Sequence, residues 1–361
     1  MFLMLYPFHP LLYSDEAVAA FGEPSRLSSD RDRTNGNPVS VDRLYAPDMP
    51  GAFQPSDHRI HRWLQDGTVR RGTEPVFVRY TVHASNQELL AGIVGVLDLD
   101  ETTPLPHEAT TPSLVAARRA DLERAGAMFE PVLLVTRAGT GLSSDSTASL
   151  RSVQYEAETH SVVAIDPSGL ERPFPPEASS LVIADGHHRV KAIVEHARST
   201  NQRPLALVMI VDSVDAGPLV HPQHRVLAGT VPQRPESNSD IDIRPYVVRD
   251  PVPQGAVGIV TDSDAWLAVP RFPSLVSAAV LERHVAPALG LSIGGVATHE
   301  EDALRELERG AAAAAIMGPM SIDQIVDEAE RGRILPHKAT YFSPKLAVGL
   351  VGTLRGERDT F

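Results

Sequence analysis

The chain has 361 residues, enough for two domains or for one with large additions, and its 42% hydrophobic and 22% charged residues are those of an ordinary globular protein. Its net charge of −13, from 46 acidic against 33 basic side chains, disfavours nucleic acid as a partner, and Arg70-Arg71 and Arg118-Arg119 read as short solvated pairs. No apolar run is long enough to span a membrane, and the lack of cysteine excludes disulfides, thiol catalysis and cysteine-ligated metal, which fits a cytoplasmic location.

Met1 to Tyr13 is apolar, but it has no basic start, is broken by Pro7 and Pro10 and runs into Asp15 and Glu16, so it does not read as a secretion signal. Residues 23 to 58 are rich in Ser, Pro, Asp and Asn and are expected to form a surface excursion. A short helix is expected over Ser56 to Gly67, then a hairpin of Pro75 to Val82 with Leu89 to Leu99. A helix follows over Pro112 to Met128, then a strand from Pro131 to Thr136 and a Gly/Ser/Thr loop from Gly139 to Thr147.

Val162 to Ile165 and Leu181 to Ala184 read as strands, followed by a helix from Arg189 and a strong strand from Ala206 to Val211. After a polar, Pro-rich connector at 230 to 240, Val257 to Val260 and Ala265 to Val269 suggest a second hairpin. Helices are expected at 276 to 289, 299 to 309 and Ser321 to Arg331, the last capped by Ser321. Ala311 to Met317 fits a buried strand or a buried helix equally. This order indicates a layered α/β or α+β core, and the chain divides into three regions, 1–150, 151–230 and 231–361, without internal repeats.

The densest chemistry lies at Leu181-Val-Ile-Ala-Asp185-Gly186-His187-His188-Arg189. A strand that turns through glycine into a helix offers backbone N–H groups and the positive end of a helix dipole, where phosphate binds readily. Asp185, His187, His188 and Arg189 could hold phosphate oxygens, a magnesium ion and a moving proton. In the plainer alternative, Asp185 caps an ordinary helix and the histidines face solvent. Zinc on adjacent histidines is a further option, though the chain has no His-Glu-x-x-His.

Pro106-His107-Glu108-Ala109-Thr110 sets an imidazole, a carboxylate and a hydroxyl just before a helix. Glu108 could accept a proton or hold a metal there, or simply cap the helix. His221-Pro-Gln-His224-Arg225 could add an anion contact from Arg225, with a plain Pro-rich loop as the other reading. Leu335 to Lys345 packs two lysines, two hydroxyl residues and Tyr341-Phe342 into a presumed loop, where Lys338 could neutralise phosphate and an aromatic could lie on a nucleobase. No Walker loop, Gly-x-Gly-x-x-Gly or Gly-x-Ser-x-Gly is present.

Taken together, Asp185-Gly-His-His-Arg189, His107-Glu108-x-Thr110, Asn37-Pro38-x-Ser40, His224-Arg225 and Leu335-Pro-x-Lys338-x-Thr340-x-Phe342-x-Pro344-Lys345 stand in the order seen in a bacterial and archaeal family, domain of unknown function ten-fifteen. The chain resembles that family over about residues 35 to 355. Through it the chain is similar to the free L-serine kinases and the ParB/sulfiredoxin-like fold. The resemblance implies a mixed-sheet nucleotide-binding core elaborated with extra N- and C-terminal α/β segments.

It also implies an enzyme that moves a phosphoryl group from ATP or ADP, with Mg²⁺, to a small hydroxylated amino acid. By the same resemblance, Gly186, His187, His188, Arg189, His107 and Lys338 would bind nucleotide. Asp185 would hold the metal, and Glu108, Asp185 and His188 would be catalytic. The chain departs from the family where a Pro-Pro-Tyr-Asp segment is not recognisable near Tyr13 to Asp15, where Pro106 replaces a basic residue, and where Val115 and Ala117 replace Lys and Asp. Two other readings use the same residues: a nucleotide-binding regulator without chemistry, and a hydrolase with water as acceptor.

Overall fold

In the computed structural model the described residues are 5–27, 37–46, 57–137, 148–165, 180–213, 219–231, 233–271 and 276–358. The chain divides into two compact units. The first comprises Met1–Pro106, Thr110–Pro218 and Pro344–Phe361, and the second His107–Ala109 and Leu219–Ser343.

The first unit is built on a mixed sheet. Its strands lie in the order Val182–Asp185, Val132–Thr136, Leu205–Asp212, Gln87–Asp98, Phe77–Ala84, Glu158–Ile165 and Ala148–Tyr155, with Leu5–Tyr6 also paired to Gln87–Asp98. Leu205–Asp212 is buried at every position, as expected of an apolar run without alternation. It pairs in parallel with Val132–Thr136 and antiparallel with Gln87–Asp98. The expected hairpin forms between Phe77–Ala84 and Gln87–Asp98, with positive φ at both Ser85 and Asn86 matching the twist of the strands.

Helix Pro112–Ala125 begins with proline at its first turn and ends at left-handed Gly126; it packs against helix His187–Thr200, which ends at left-handed Asn201. An apolar cluster of this unit gathers Leu11, Tyr13, Val41, Leu44, Trp63 and Phe129. Val41 and Leu44 therefore belong to the core, so the expected surface excursion at 23 to 58 is partly core-forming. Residues 28–36 and 47–56 of it, like the expected loop at 139–147, lie outside the described residues.

The second unit holds a six-stranded antiparallel sheet in the order Ile241–Pro245, Ala265–Pro270, Val257–Val260, Ala313–Met317, His224–Ala228 and Ser292–Ala297. The ambiguous alanine run is a strand, buried throughout because it lies inside the sheet. Helix Ile322–Glu330 carries the expected Ser321 cap, completed to a capping box by Gln324. The expected helix at 276 to 289 contains a π-helical stretch, Leu281–Val285.

Several elements correct or add to the sequence reading, the strands His224–Ala228, Ile241–Pro245 and Ser292–Ala297 among them. Strand Ala148–Tyr155, which completes a hairpin with Glu158–Ile165, carries mostly polar residues and shows little apolar alternation. Thr340–Ser343 is a strand paired with Leu219–Pro222 rather than part of a loop. Among the described residues no helix is long and apolar enough to cross a membrane.

Candidate functional site

Strand Val182–Asp185 ends at Asp185, and Gly186 turns the chain into helix His187–Thr200 with a φ of 107°. A Cβ at Gly186 would sit 3.0 Å from Arg189 Nη2, so both the backbone angle and the space select glycine. Gly186 is the cap residue and has no side chain to bond the first-turn N–H groups, which leaves the helix N-terminus to other acceptors.

Two cations converge on Asp185. Lys345 Nζ lies 3.6 Å and Arg189 Nη2 3.7 Å from its Oδ2. Burial pushes the Asp185 carboxyl up, but Lys345, Arg189 and His187 outweigh it and hold its pKa below the usual carboxylate range. The Asp185 side chain keeps 39% of its surface exposed. Arg189 is pinned: Nη1 donates to the carbonyls of Glu130 and Pro131, both at 2.7 Å, and Nη2 lies 3.6 Å from Glu130 Oε1.

His187 is buried beside Asp185, whereas His188 reaches helix Pro112–Ala125. The backbone N–H of Thr111, the cap residue of that helix, donates to His188 Nε2 at 3.0 Å. A nitrogen that accepts an N–H carries no proton, so His188 is here a neutral imidazole protonated at Nδ1.

Beside Arg189 opens a shallow cleft that is continuous with solvent. Leu122, Met128, Val132, Ile193 and Leu207 give it apolar walls, and Arg118, Asp121, Glu130 and Arg189 give it a charged rim. Arg118, expected to be solvated, is mostly buried. Its Nη1 bonds Asp121 at 3.0 Å, while its Nη2 is buried without a hydrogen-bond partner. Asp121 also takes Arg124 at 2.7 Å, so two guanidiniums share one carboxylate and leave positive charge in excess at that end.

The other expected residues lie in the second unit. Glu108 Oε1 accepts the backbone N–H of Lys338 at 2.9 Å and lies 3.1 Å from His337 Nδ1. Lys338 is exposed and left-handed at φ 53°. His107 is fully buried, with Nε2 3.0 Å from Thr340 Oγ1 and its ring against Phe342. Phe342 is itself buried, so it is closed to a nucleobase. Arg225 is also buried, and it donates to the carbonyls of Gln223, His337 and Lys338 instead of facing an anion.

The chemistry that sequence reasoning missed is Lys345 against Asp185, and the Arg118–Glu130 cleft. The only signal for the first was its place in the closing Pro-Lys motif. Magnesium commonly takes one or two carboxylates together with phosphate oxygens and water. Among the described residues no group of three His, Asp or Glu forms a metal cage, and Asp185 is a single carboxylate of the kind magnesium takes together with phosphate oxygens and water.

A family model described as protein of unknown function, DUF1015, matches residues 27–284. No curated protein matches the chain. Among solved structures, a conserved hypothetical protein from Pyrococcus furiosus is 16% identical, with a TM-score of 0.39 over 71% of this chain and 95% of that one. A free serine kinase in complex with AMP is 14% identical, with a TM-score of 0.40 over 71% and 92%. SbnI from Staphylococcus aureus, truncated at its C-terminus, is 12% identical, with a TM-score of 0.40 over 74% and 90%.

Proposed function

This chain belongs to the DUF1015 family, proteins of unknown function, and we propose that it is a phosphotransferase acting on a small hydroxyl substrate, free L-serine or a related hydroxylated amino acid. The observation that carries this reading is the Asp185-Gly186 turn. It opens a helix N-terminus beside a carboxylate that two cations hold ionised, with a partly apolar, solvent-open cleft alongside.

In this reading the nucleotide phosphates lie on the N–H groups that open helix His187–Thr200. Arg189 fixes the turn and adds positive charge. The nucleoside occupies the cleft, its base between apolar walls, with Arg118 as donor and Asp121 or Glu130 as acceptor. Mg²⁺, held through Asp185 and the phosphates, would supply charge neutralisation. Glu108, as its motif implies, takes the hydroxyl proton. A cytoplasmic location fits this chemistry.

The engagement of Glu108 with Lys338 N–H and His337 favours a second reading, a regulator that binds nucleotide without turnover. One experiment separates the two. The protein is incubated with Mg²⁺, ATP or ADP and a panel of hydroxyl amino acids led by L-serine, and phosphorylated product is followed by mass spectrometry. A phosphoamino acid lost in Asp185→Ala supports the kinase. Nucleotide-raised Tm without product supports the regulator, and phosphate release without an acceptor identifies a hydrolase.

A further inference from the structure

The six-stranded sheet of the second unit has two outer edges, Ile241–Pro245 and Ser292–Ala297, and they are built differently. Unpaired backbone N–H and C=O groups along an edge are a template for another strand. Charge, proline and bulges are what keep such an edge from being used. Ile241–Pro245 carries Asp242, Arg244 and Pro245. Ser292–Ala297 reads Ser-Ile-Gly-Gly-Val-Ala and has only a bulge, and the whole run from Val285 to Thr298 contains no charged side chain and no histidine, in a chain that is 22% charged.

The inner side of Ser292–Ala297 pairs with His224–Ala228, and the register slips by one residue at Gly294, so that Val226 faces Gly295 and Leu227 faces Ile293. Directly paired residues share a face of the sheet, so the slip brings Ile293 and Val296 to one face, beside Leu227 and Arg225. Leu227 and Arg225 are closed, at 0% and 1% exposure, whereas Ile293 and Val296 keep 38% and 41%. The layer that is sealed over Leu227 therefore stays open at this edge, and it ends there in apolar side chains. Pro287 and Ala288, in the preceding helix Ala286–Leu289, are exposed as well. Gly294 and Gly295 have no side chain to hold a second backbone away. Among the described residues no strand lies on the outer side of Ser292–Ala297.

We propose that this edge is a self-association surface, on which Ser292–Ala297 pairs antiparallel with the same strand of a second copy of the chain and joins the two sheets into one. Charge argues for a copy as the occupant. Two chains of net charge −13 repel wherever their charged surfaces meet, so they approach best where an uncharged strip meets an equally uncharged one. An antiparallel pair also has two-fold symmetry, which makes the strand its own complement, with Ile293 of one copy beside Val296 of the other on the shared face. The charged, proline-bearing edge Ile241–Pro245 offers no second surface of this kind, so association closes at a pair and does not extend into a filament.

The test is sedimentation equilibrium of the full chain over about 1 to 200 μM, with amide hydrogen exchange measured at both ends of that range. The unaltered chain is expected to pass from monomer to dimer, and the amides of 292–297 to exchange more slowly as it does. Val296→Lys and Ile293→Lys, at positions exposed enough to carry a lysine in the folded monomer, each put an ammonium into the joined face. Each is expected to weaken the dimer by about 10- to 100-fold, with thermal melting to show that the variant is folded. Val247→Lys, at another exposed valine of the same unit, leaves the dimer unchanged. The exchange measurement needs no variant. A dimer indifferent to both edge lysines, or one whose 292–297 amides exchange as in the monomer, would overturn the proposal. A chain that stays monomeric at every concentration would also overturn it, and would leave the edge to an extended segment of a different protein.

Discussion

Glu108 accepts the backbone N–H of Lys338 at 2.9 Å, and Arg225 takes the carbonyls of His337 and Lys338 at 3.0 and 2.9 Å, so a carboxylate and a guanidinium clamp one left-handed residue from opposite polarities. The bond from a neutral amide needs only an acceptor oxygen, which glutamine also supplies. Glu108→Gln is therefore expected to keep the stability of the chain within about 1 kcal/mol, whereas Glu108→Ala, which leaves the exposed Lys338 N–H to water, costs about 0.5–1.5 kcal/mol. Urea denaturation checks both. If Glu108 also takes the substrate proton, Glu108→Gln lowers turnover by about 10²- to 10⁴-fold with little change in nucleotide affinity. Unaltered turnover in a folded Glu108→Gln protein would remove it from the chemistry.

Gly186→Ala combines two penalties: a side chain at φ 107°, and a Cβ 3.0 Å from the pinned guanidinium of Arg189. The expected loss is about 1–3 kcal/mol, with a weakened response of Tm to nucleotide because Arg189 must shift. Gly67→Ala is the control, since its φ of 78° is positive but its Cβ meets nothing within 4 Å. Equal losses and equal ligand responses in the two variants would mean that the Arg189 contact has no effect.

The turn was legible in the sequence because strand, glycine and helix are local signals and four of the five residues from Asp185 to Arg189 are polar. The α+β class was legible for a similar reason: Leu205–Asp212 and Val132–Thr136 are apolar runs bounded by turn residues. Strand Ala148–Tyr155 was not, because its place depends on pairing with Glu158–Ile165 rather than on its own pattern. Side-chain partners were also illegible. Arg225 looked like an anion ligand and serves backbone carbonyls, and Arg118 looked solvated and lines the cleft. A guanidinium's partner is set by long-range packing that residue type does not encode.

Arg118 gives the cleft a test with a sign. Its Nη2 is buried without an acceptor, a cost in the empty protein, and Asp121 retains Arg124 when Arg118 is removed. Arg118→Met is therefore expected to change stability by less than about 1 kcal/mol. If the cleft holds the nucleoside, the same variant weakens ADP while leaving pyrophosphate unaffected, and Ile193→Trp, which fills the cleft wall, does so more strongly. Parallel losses for ADP and pyrophosphate would place the nucleoside elsewhere.

Two buried histidines set an acid limit on stability. Burial pushes His160 and His224 down to about 4 from an ordinary value near 6.5. His160 Nδ1 shares a 2.8 Å hydrogen bond with Tyr80, and His224 Nδ1 accepts the Met317 N–H at 3.0 Å, a bond that a proton on that nitrogen would abolish. Between pH 6.5 and 4 the unfolded chain binds these protons and the folded chain does not. Stability is therefore fully present above about 6.5 and is lost as pH falls toward 4, by up to about 1.4 kcal/mol per pH unit for each histidine. His160 lies in the first unit and His224 in the second, so His160→Gln is expected to flatten the acid dependence of the first unit and His224→Gln that of the second. Urea midpoints at pH 7.5, 6, 5 and 4.5 measure it, and the same pH dependence in both variants as in the unaltered chain would show that neither histidine stays neutral in the fold.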